Sequence, residues 1–580
     1  MAKSPFTIER NVTTPMRDTT RLAADVYVPD GDGPFPTLVC RTPYNKQRDS
    51  ACWEYEGLAH AGYAVVVQDI RGRFASEGDF HPLFLPGWTD AEDGYDTIEW
   101  AAAQPWSNGQ IGTFGNSYNS WTQWALAPTK PPHLVAMWAS GMAPHTTDWE
   151  IGGIFRPGRA LQWLLGTLAP DTQARLSEPQ GPATVEEWDR LHAGANREKW
   201  LWFLPWSDLP AEAVGGTGEQ LRDWLQNHTR DVWRFHERFA DIDVPVFHRT
   251  GWYDRLIRTV DMFAGMQRGA PTEHARRSQR LIVGPWPHST DYGARLGEID
   301  FGPESNASHL SLVTSWFDYW LKGEENGVMD SAPARLFLIG ANRWVDADAW
   351  PPPGSTPTDL YLRGDGRAAT PRGDGALDRE GPGEEPPDRY SYDPRDRYSY
   401  DPRDPVMTLY GANGHDEPHD QRLMDHRRDV LVYQTPPLES PLTVCGCPEV
   451  TLWASSSAPD TDFVARLIDV HPDGFAQNVV YGIVRARYRA GFERPELLLP
   501  GEVYELKIEL LPICNRFLAG HRLRLDISSS DFPNFDRNHN TGRDDWADAE
   551  LRVAKQTVFH DPARPSRLTL PVMPQDWGGA

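Results

Sequence analysis

Residues 111–121 read Ile-Gly-Thr-Phe-Gly-Asn-Ser-Tyr-Asn-Ser-Trp, and this run narrows the choice of fold more than any other. A short apolar lead ends at Phe114-Gly115, Ser117 follows, and the next stretch from Trp121 to Ala127 suits a helix. Strand, sharp turn with a serine at its tip, then helix is the arrangement of a nucleophile elbow in an open α/β sheet. A serine hydroxyl is a weak nucleophile. It needs a neighbouring base and N–H groups aimed at the oxyanion it creates. The turn supplies the N–H groups by setting Ser117 at a helix N-terminus, where the dipole favours negative charge. The usual elbow is G-x-S-x-G. Gly115 is kept here, and Asn119 stands in the place of the second glycine. Asparagine tolerates positive φ better than most residues, which keeps the turn feasible.

A serine of this kind needs an acid and a histidine, in the chain order Ser, Asp or Glu, His. The segment Val244-Pro-Val-Phe-His-Arg-Thr-Gly-Trp-Tyr reads as a buried strand with Asp254 just past it. Arg280-Leu-Ile-Val-Gly-Pro-Trp-Pro reads likewise, with His288 beyond it. Loops at the carboxyl ends of parallel strands meet at one place in such a sheet. The gap of 288 − 254 = 34 residues leaves room for one crossover helix, for which Arg258 to Gln267 is the candidate. Ser117, Asp254 and His288 are therefore the expected catalytic set.

Several further segments carry a resemblance. They are Arg41-Thr-Pro-Tyr, Asp69-Ile-Arg-Gly-Arg-Phe-Ala-Ser-Glu-Gly, Gly251-Trp-Tyr-Asp, Gly284-Pro-Trp-Pro-His, Leu452-Trp-Ala-Ser-Ser-Ser-Ala-Pro-Asp-Thr-Asp-Phe, Val484-Arg-Ala-Arg-Tyr-Arg and Phe517-Leu-Ala-Gly-His-Arg-Leu-Arg-Leu. With the elbow, and in this order, they make the whole chain resemble the cocaine esterase-like hydrolases. These are grouped with X-Pro dipeptidyl-peptidases and related to α-amino acid ester hydrolases. In that family the elbow reads G-x-S-Y-x-G; the last glycine falls at position 120, which is Ser120 here. The resemblance implies that Tyr44, after an early strand, gives its phenol O–H to the oxyanion beside the backbone N–H of Tyr118. It also implies a substrate pocket near Trp149 and Trp163, with Leu256 beside them.

Composition excludes other classes. A formal charge of −25 argues against nucleic acid or an anionic membrane as partners. No run of 18 apolar residues is present, so no membrane span is expected. The first ten residues lack the apolar core of a secretory signal. The five cysteines are odd in number and scattered, which suits reduced thiols in a cytoplasmic protein. Seven of the 57 basic residues are lysine, a bias of the kind a GC-rich bacterial genome produces. No P-loop and no S-x-x-K motif occurs. The run Asp536-Arg-Asn-His-Asn-Thr-Gly fails as a calcium loop because its glycine is one place late and Ala547 stands where the terminal glutamate belongs. No cofactor or metal is expected.

Three parts follow from the pattern. Residues 1–144 and 241–350 alternate strand and helix, as an α/β-hydrolase catalytic domain would. Residues 145–240 hold Trp-rich helical patches and read as an inserted cap. From 355 to 580 short alternating strands suggest a β-sandwich, and the resemblance implies a jelly roll of galactose-binding type. Within 364–405 lies a perfect tandem octapeptide beginning at Asp388 and Asp396, read as a loop duplication without chemistry. The expected activity is serine hydrolysis of carboxylic esters or amides through an acyl-enzyme. Alternatives are an X-Pro dipeptidyl-peptidase, an α-amino acid ester hydrolase, or an inactive carbohydrate-binding scaffold. Arg255 and Arg258, close behind Asp254, disfavour the amino ester subtype, which needs extra acids there. The expected partner is a small-molecule ester or amide, without nucleic acid or membrane, and a homodimer is left open.

Overall fold

The computed structural model describes residues 5–149, 151–179, 181–192, 199–288, 293–390, 402–403, 405–407 and 417–579. Twelve strands come first: β1 (Phe6–Pro15), β2 (Arg21–Pro29), β3 (Phe35–Thr42), β4 (Ala64–Asp69), β5 (Ser107–Asn116), β6 (Leu134–Ser140), β7 (Val246–Tyr253), β8 (Arg280–Pro287), β9 (Arg295–Leu296), β10 (Ile299–Asp300), β11 (Ala334–Leu338) and β12 (Arg343–Ala347). All but β9 and β10, a separate two-stranded ribbon, form one sheet in the order β1-β2-β4-β3-β5-β6-β7-β8-β11-β12. From β4 through β11 its neighbours run parallel. The central strands β4, β7 and β8 are buried along their whole length, as a sheet covered on both faces requires.

The covering helices are amphipathic in opposite senses. On one face α1 (Asp49–His60) and the helix His309–Lys322 bury Tyr55, Leu58, Trp316 and Phe317 against the strands. On the other, α2 (Asp90–Ala102), α3 (Tyr118–Leu126) and Thr259–Gly269 bury Ile98, Trp121, Trp124 and Met262. The last of these is the crossover between β7 and β8. The described residues between β6 and β7 carry helix and no strand, and their apolar side chains, among them Leu164, Trp206 and Trp224, join the same core as α2 and α3.

From Thr356 onward the chain is β-rich and almost wholly antiparallel. Strand Glu449–Ser456 pairs with three partners, Val503–Glu509, Gln556–Asp561 and Arg567–Val572, so the sheet branches and folds over itself. This is the jelly-roll layout expected. One hydrophobic core runs from its Leu467, Ile508 and Leu525 through to Trp252, Phe263 and Phe337 of the catalytic domain. The β domain also grips the cap. Gly158 N–H donates to Pro533 O at 2.9 Å, and Arg156 donates to Tyr481 Oη at 3.1 Å and Asn534 Oδ1 at 2.5 Å. Of the octapeptide repeat, Asp388 is fully buried and accepts from Tyr433 Oη and His560 Nε2. Residues 391–401 lie outside the described residues, and with them most of the duplication. No helix among the described residues is long and apolar enough to cross a membrane.

Candidate active site

Ser117 sits between the end of β5 and the first turn of α3, at φ +61° and ψ −122°. A β-carbon in that region costs on the order of 1–3 kcal/mol. The surrounding bonds over-determine it: Ser117 N–H donates to Ser140 O at 2.9 Å, and its carbonyl accepts from Ser120 and Trp121 N–H. Asparagine's tolerance of positive φ is not what rescues the elbow. Asn119 is helical, and the left-handed residue is the serine itself. Asn119 matters through its side chain. A β-carbon on Gly115 would lie 2.4 Å from Asn119 Cβ, so position 115 stays glycine. Ser120 is accommodated fully buried. Tyr118 is the first residue of α3, where a helix offers no acceptor for the N–H.

Asp254 and His288 follow β7 and β8. His288 Nδ1 donates to Asp254 Oδ1 at 2.9 Å. The same carboxylate accepts from Leu256 N–H at 2.8 Å and from Thr250 Oγ1 at 3.3 Å. Burial alone would raise the Asp254 pKa, but His288 and the Leu256 N–H outweigh it and hold it at about 2. Burial is also the main force on His288. It pushes the imidazole below its ordinary 6.5, against the pull of Asp254. With a proton on Nδ1 for Asp254, Nε2 is left as the basic nitrogen.

Between the serine strand β5 and the acid strand β7 lies β6. Its exit residue Gly141 has φ +59°. A β-carbon there would stand 2.8 Å from Asn116 Oδ1, 3.1 Å from His288 Cε1 and 3.3 Å from Asp254 Oδ2. Only a bare backbone lets the imidazole lie across it.

Tyr44 follows β3. Its hydroxyl oxygen accepts from Trp163 Nε1 at 3.1 Å, and Tyr44 and Ser117 line the same pocket. Burial raises the phenol pKa, so the O–H stays a donor. The loop holding it is braced from below. Lys46 Nζ meets Asp69 Oδ2 at 2.6 Å, both side chains being buried, and Lys46 N–H donates to Asp69 Oδ1 at 2.8 Å. Arg73 Nε donates to Pro43 O at 2.9 Å. The motif Asp69-Ile-Arg-Gly-Arg is thus scaffolding for the Tyr44 loop.

Ser117, His288, Tyr44 and Trp163 line one pocket of about 340 Å³, together with Thr42, Trp53, Glu54, Asn119, Arg48, Arg159 and Arg255. Leu256 is not part of its wall, contrary to the sequence expectation. Its side chain is 2% exposed in the core beneath the helices, and its contribution is the backbone N–H that holds Asp254. The Trp149 side chain lies outside the described residues. Two clusters elsewhere, His145/Asp231/His236 and Asp469/His471/His521, bring three ligand atoms each within 4.8 Å of one another, and neither lines this pocket.

Comparisons with known proteins place the chain by family and fold. Residues 18–290 match the family model described as X-Pro dipeptidyl-peptidase (S15 family), and residues 326–569 match the X-Pro dipeptidyl-peptidase C-terminal non-catalytic domain. A cocaine esterase from Rhodococcus sp. is 35% identical over 99% of this chain and 100% of its own. Among solved structures, an aminopeptidase from a marine sediment Thaumarchaeota archaeon superposes with a TM-score of 0.79 at 25% identity, covering 99% of this chain and 98% of that one. An α-amino acid ester hydrolase does so with 0.76 at 25% identity, covering 98% and 97%.

Proposed function

The chain belongs to the cocaine esterase-like hydrolases of the X-Pro dipeptidyl-peptidase family, and from that premise we propose that it cleaves carboxylic esters through an acyl-enzyme on Ser117. The observation that carries this is the convergence of Ser117, the Asp254–His288 pair and the Tyr44 phenol on one pocket. His288 Nε2 takes the hydroxyl proton as Ser117 Oγ attacks the ester carbonyl. Asp254 steadies the imidazolium, and the Tyr44 O–H and Tyr118 N–H receive the oxyanion. The oxyanion collapses, the C–O bond to the alcohol breaks, and His288 protonates the departing oxygen. Water then repeats the cycle, returning Ser117 and a carboxylic acid. Five free cysteines suit a cytoplasmic setting for this reaction.

The same groups would serve an X-Pro dipeptidyl-peptidase, but that activity needs a carboxylate to hold a free N-terminus. Among the described lining residues the one carboxylate is Glu54, already bonded to His309 Nε2 at 2.7 Å. An inactive scaffold would have no use for so complete a set of groups. A fluorophosphonate should add to Ser117 by intact mass and leave Ser117→Ala unlabelled, and p-nitrophenyl esters should be turned over faster than Ala-Pro anilides. Equal labelling of both proteins would place the nucleophile elsewhere.

Three further outcomes are expected. Because burial lowers the His288 pKa, kcat/KM should fall toward acid pH with a midpoint below 6.5. The raised Tyr44 pKa should keep the alkaline side flat to about pH 9. An acid midpoint above 6.5 would contradict a buried base. Tyr44→Phe should lower kcat by about 10²–10³ with little change in KM, since the lost donor acts on charge present only in the transition state. It should also lower stability by about 1 kcal/mol, because Trp163 Nε1 loses its acceptor. Wild-type turnover would make Tyr44 a packing residue. Gly141→Ala should cost about 10²-fold in kcat by displacing His288. Full activity in that variant would mean the imidazole has room to spare.

A further inference from the structure

In the β domain, strand Asp462–Val470 lies between strands Ala476–Arg485 and Arg522–Ser528 and pairs with both antiparallel. Successive side chains of a strand alternate between its faces, so Asp469 and His471 share one side. The register adds two more residues to that side. Asp469 stands opposite Gln477 on one neighbour, and Val470 stands opposite Arg522 on the other. One step further, His521 comes opposite His471. Cross-strand neighbours stand about 4.5–5.5 Å apart at Cβ, which is close enough for their side chains to meet. Asp469, His471, Gln477 and His521 are thus brought to one face at the end of a hairpin.

There the side chains close on one another. His521 Nδ1 is 2.8 Å from Asp469 Oδ1, and the rings of His471 and His521 lie 4.5 Å apart, inclined at 38°. One ligand atom from each of Asp469, His471 and His521 falls within 4.8 Å of the other two. Asp469 is 3% exposed and His521 8%, while His471 is half-buried and is followed by the exposed turn residues Pro472 and Asp473. The group is walled on the protein side and open at the turn. That turn is held in shape: His471 N–H donates to Phe475 O at 2.8 Å, and Gly474 N–H donates to His471 O at 2.9 Å. The rings of His471 and Phe475 meet edge to face at 5.2 Å. Gln477 Oε1 stands 3.3 Å from His471 Nε2, and Gln477 Nε2 donates to Tyr253 Oη at 3.0 Å. Tyr253 ends β7 and immediately precedes Asp254.

We propose that Asp469, His471 and His521 bind a divalent transition metal ion of the zinc type, with water completing its coordination at the open side of the turn. Two imidazoles and a carboxylate are donors that suit such an ion. Nitrogen and oxygen ligands at about 2.0–2.2 Å from a tetrahedral centre stand about 3.3 Å from one another, so closing the group around an ion asks for shifts of about 1.5 Å or less. Gln477 steadies the His471 ring from the neighbouring strand, the service that an outer partner gives a metal-binding imidazole. The ion would tie the hairpin to strand Arg522–Ser528 and, through Gln477 and Tyr253, firm the junction of the β domain with the catalytic domain. Its ligands are not among the described residues of the Ser117 pocket, so its role is structural and independent of the esterase reading.

The test takes the full chain, strips it with EDTA and titrates it with zinc chloride, read by isothermal titration calorimetry and by melting curves. The other His-Asp-His group, His145/Asp231/His236, is controlled by running His236→Phe in parallel. Wild type should bind zinc, and at about 100 times the measured Kd its melting temperature should rise by about 2 °C. His471→Phe carries the test. It sits at a half-buried turn position, keeps a ring against Phe475 and leaves the Asp469–His521 pair intact. It should weaken zinc binding by at least about 10–100-fold and lose the rise in melting temperature at the same zinc concentration. His236→Phe should keep both. Absence of zinc binding by wild type, or an affinity and a melting rise unchanged in His471→Phe, would overturn the proposal. A rise kept in His471→Phe and lost in His236→Phe would assign the ion to the cap and overturn it as well.

Discussion

Replacing Ser117 or His288 with alanine is expected to lower kcat for ester hydrolysis by about 10⁶, and replacing both should cost no more than replacing either. The two act as one device. Ser117 is a nucleophile only while His288 Nε2 removes its proton, and the imidazole has no other proton to take in the first step. What survives is the help given to an attacking water by the pocket and the oxyanion donors. Ser117→Ala keeps a β-carbon at the same strained φ, so its melting temperature should match wild type. His288→Ala should melt lower, because the buried Asp254 carboxylate loses a charge-assisted partner and, among the described residues, keeps the Leu256 and Thr250 donors. Steady-state rates on a p-nitrophenyl ester, with melting curves for each protein, check this. Costs that add in the double variant would show that the two residues work separately.

Asp254→Asn is expected to lower kcat by about 10⁴ without disturbing the fold. The substitution is nearly isosteric, so the fold survives it, although an NH2 in place of Oδ1 gives up the Leu256 N–H bond and leaves the amide oxygen at the Oδ2 position for Thr250 Oγ1. The fault lies in the proton map. A carboxylate only accepts, so it holds the His288 proton on Nδ1 and leaves Nε2 basic. An amide can turn its NH2 toward Nδ1. That tautomer puts the proton on Nε2, where it faces Ser117 and blocks proton transfer. The charge that steadies the imidazolium is lost as well. A variant retaining more than a tenth of the wild-type rate would show that Asp254 does not set the tautomer.

The catalytic groups were legible for local reasons. Ser117 is marked by an apolar strand, a glycine and a helix-forming run within eleven residues. Asp254 and His288 each follow a strand that is buried along its whole length and carries its own glycine turn signal. Tyr44 and the Tyr118 N–H came from family resemblance, since nothing about a tyrosine after a strand says where its phenol points. Leu256 was misread as pocket wall. Its sequence position beside Asp254 was informative, but a two-residue offset does not tell whether a side chain or a backbone N–H does the contacting. The motifs near 460 and 485 carry part of the family resemblance. They form a buried ion network in which Arg485 meets Asp462 at 2.9 Å and Arg487 meets Asp460 at 2.6 Å.

By itself the sequence determined the alternation of strand and helix, the order of serine, acid and histidine, and the placing of each at a strand's carboxyl end. Those follow from hydrophobic period and turn chemistry, which act over a few residues. Tertiary structure alone decided the rest. Gly141 is required because β6 runs between the serine strand and the acid strand, a fact of sheet order and not of local composition. Lys46, Asp69 and Arg73 support Tyr44 only because β4 lies beside β3. Arg48, Arg159 and Arg255 come from three distant parts of the chain. No periodicity links them; sheet order brings Arg48 and Arg255 to the strand ends, and the placing of the cap adds Arg159 to the wall of the pocket that holds Ser117.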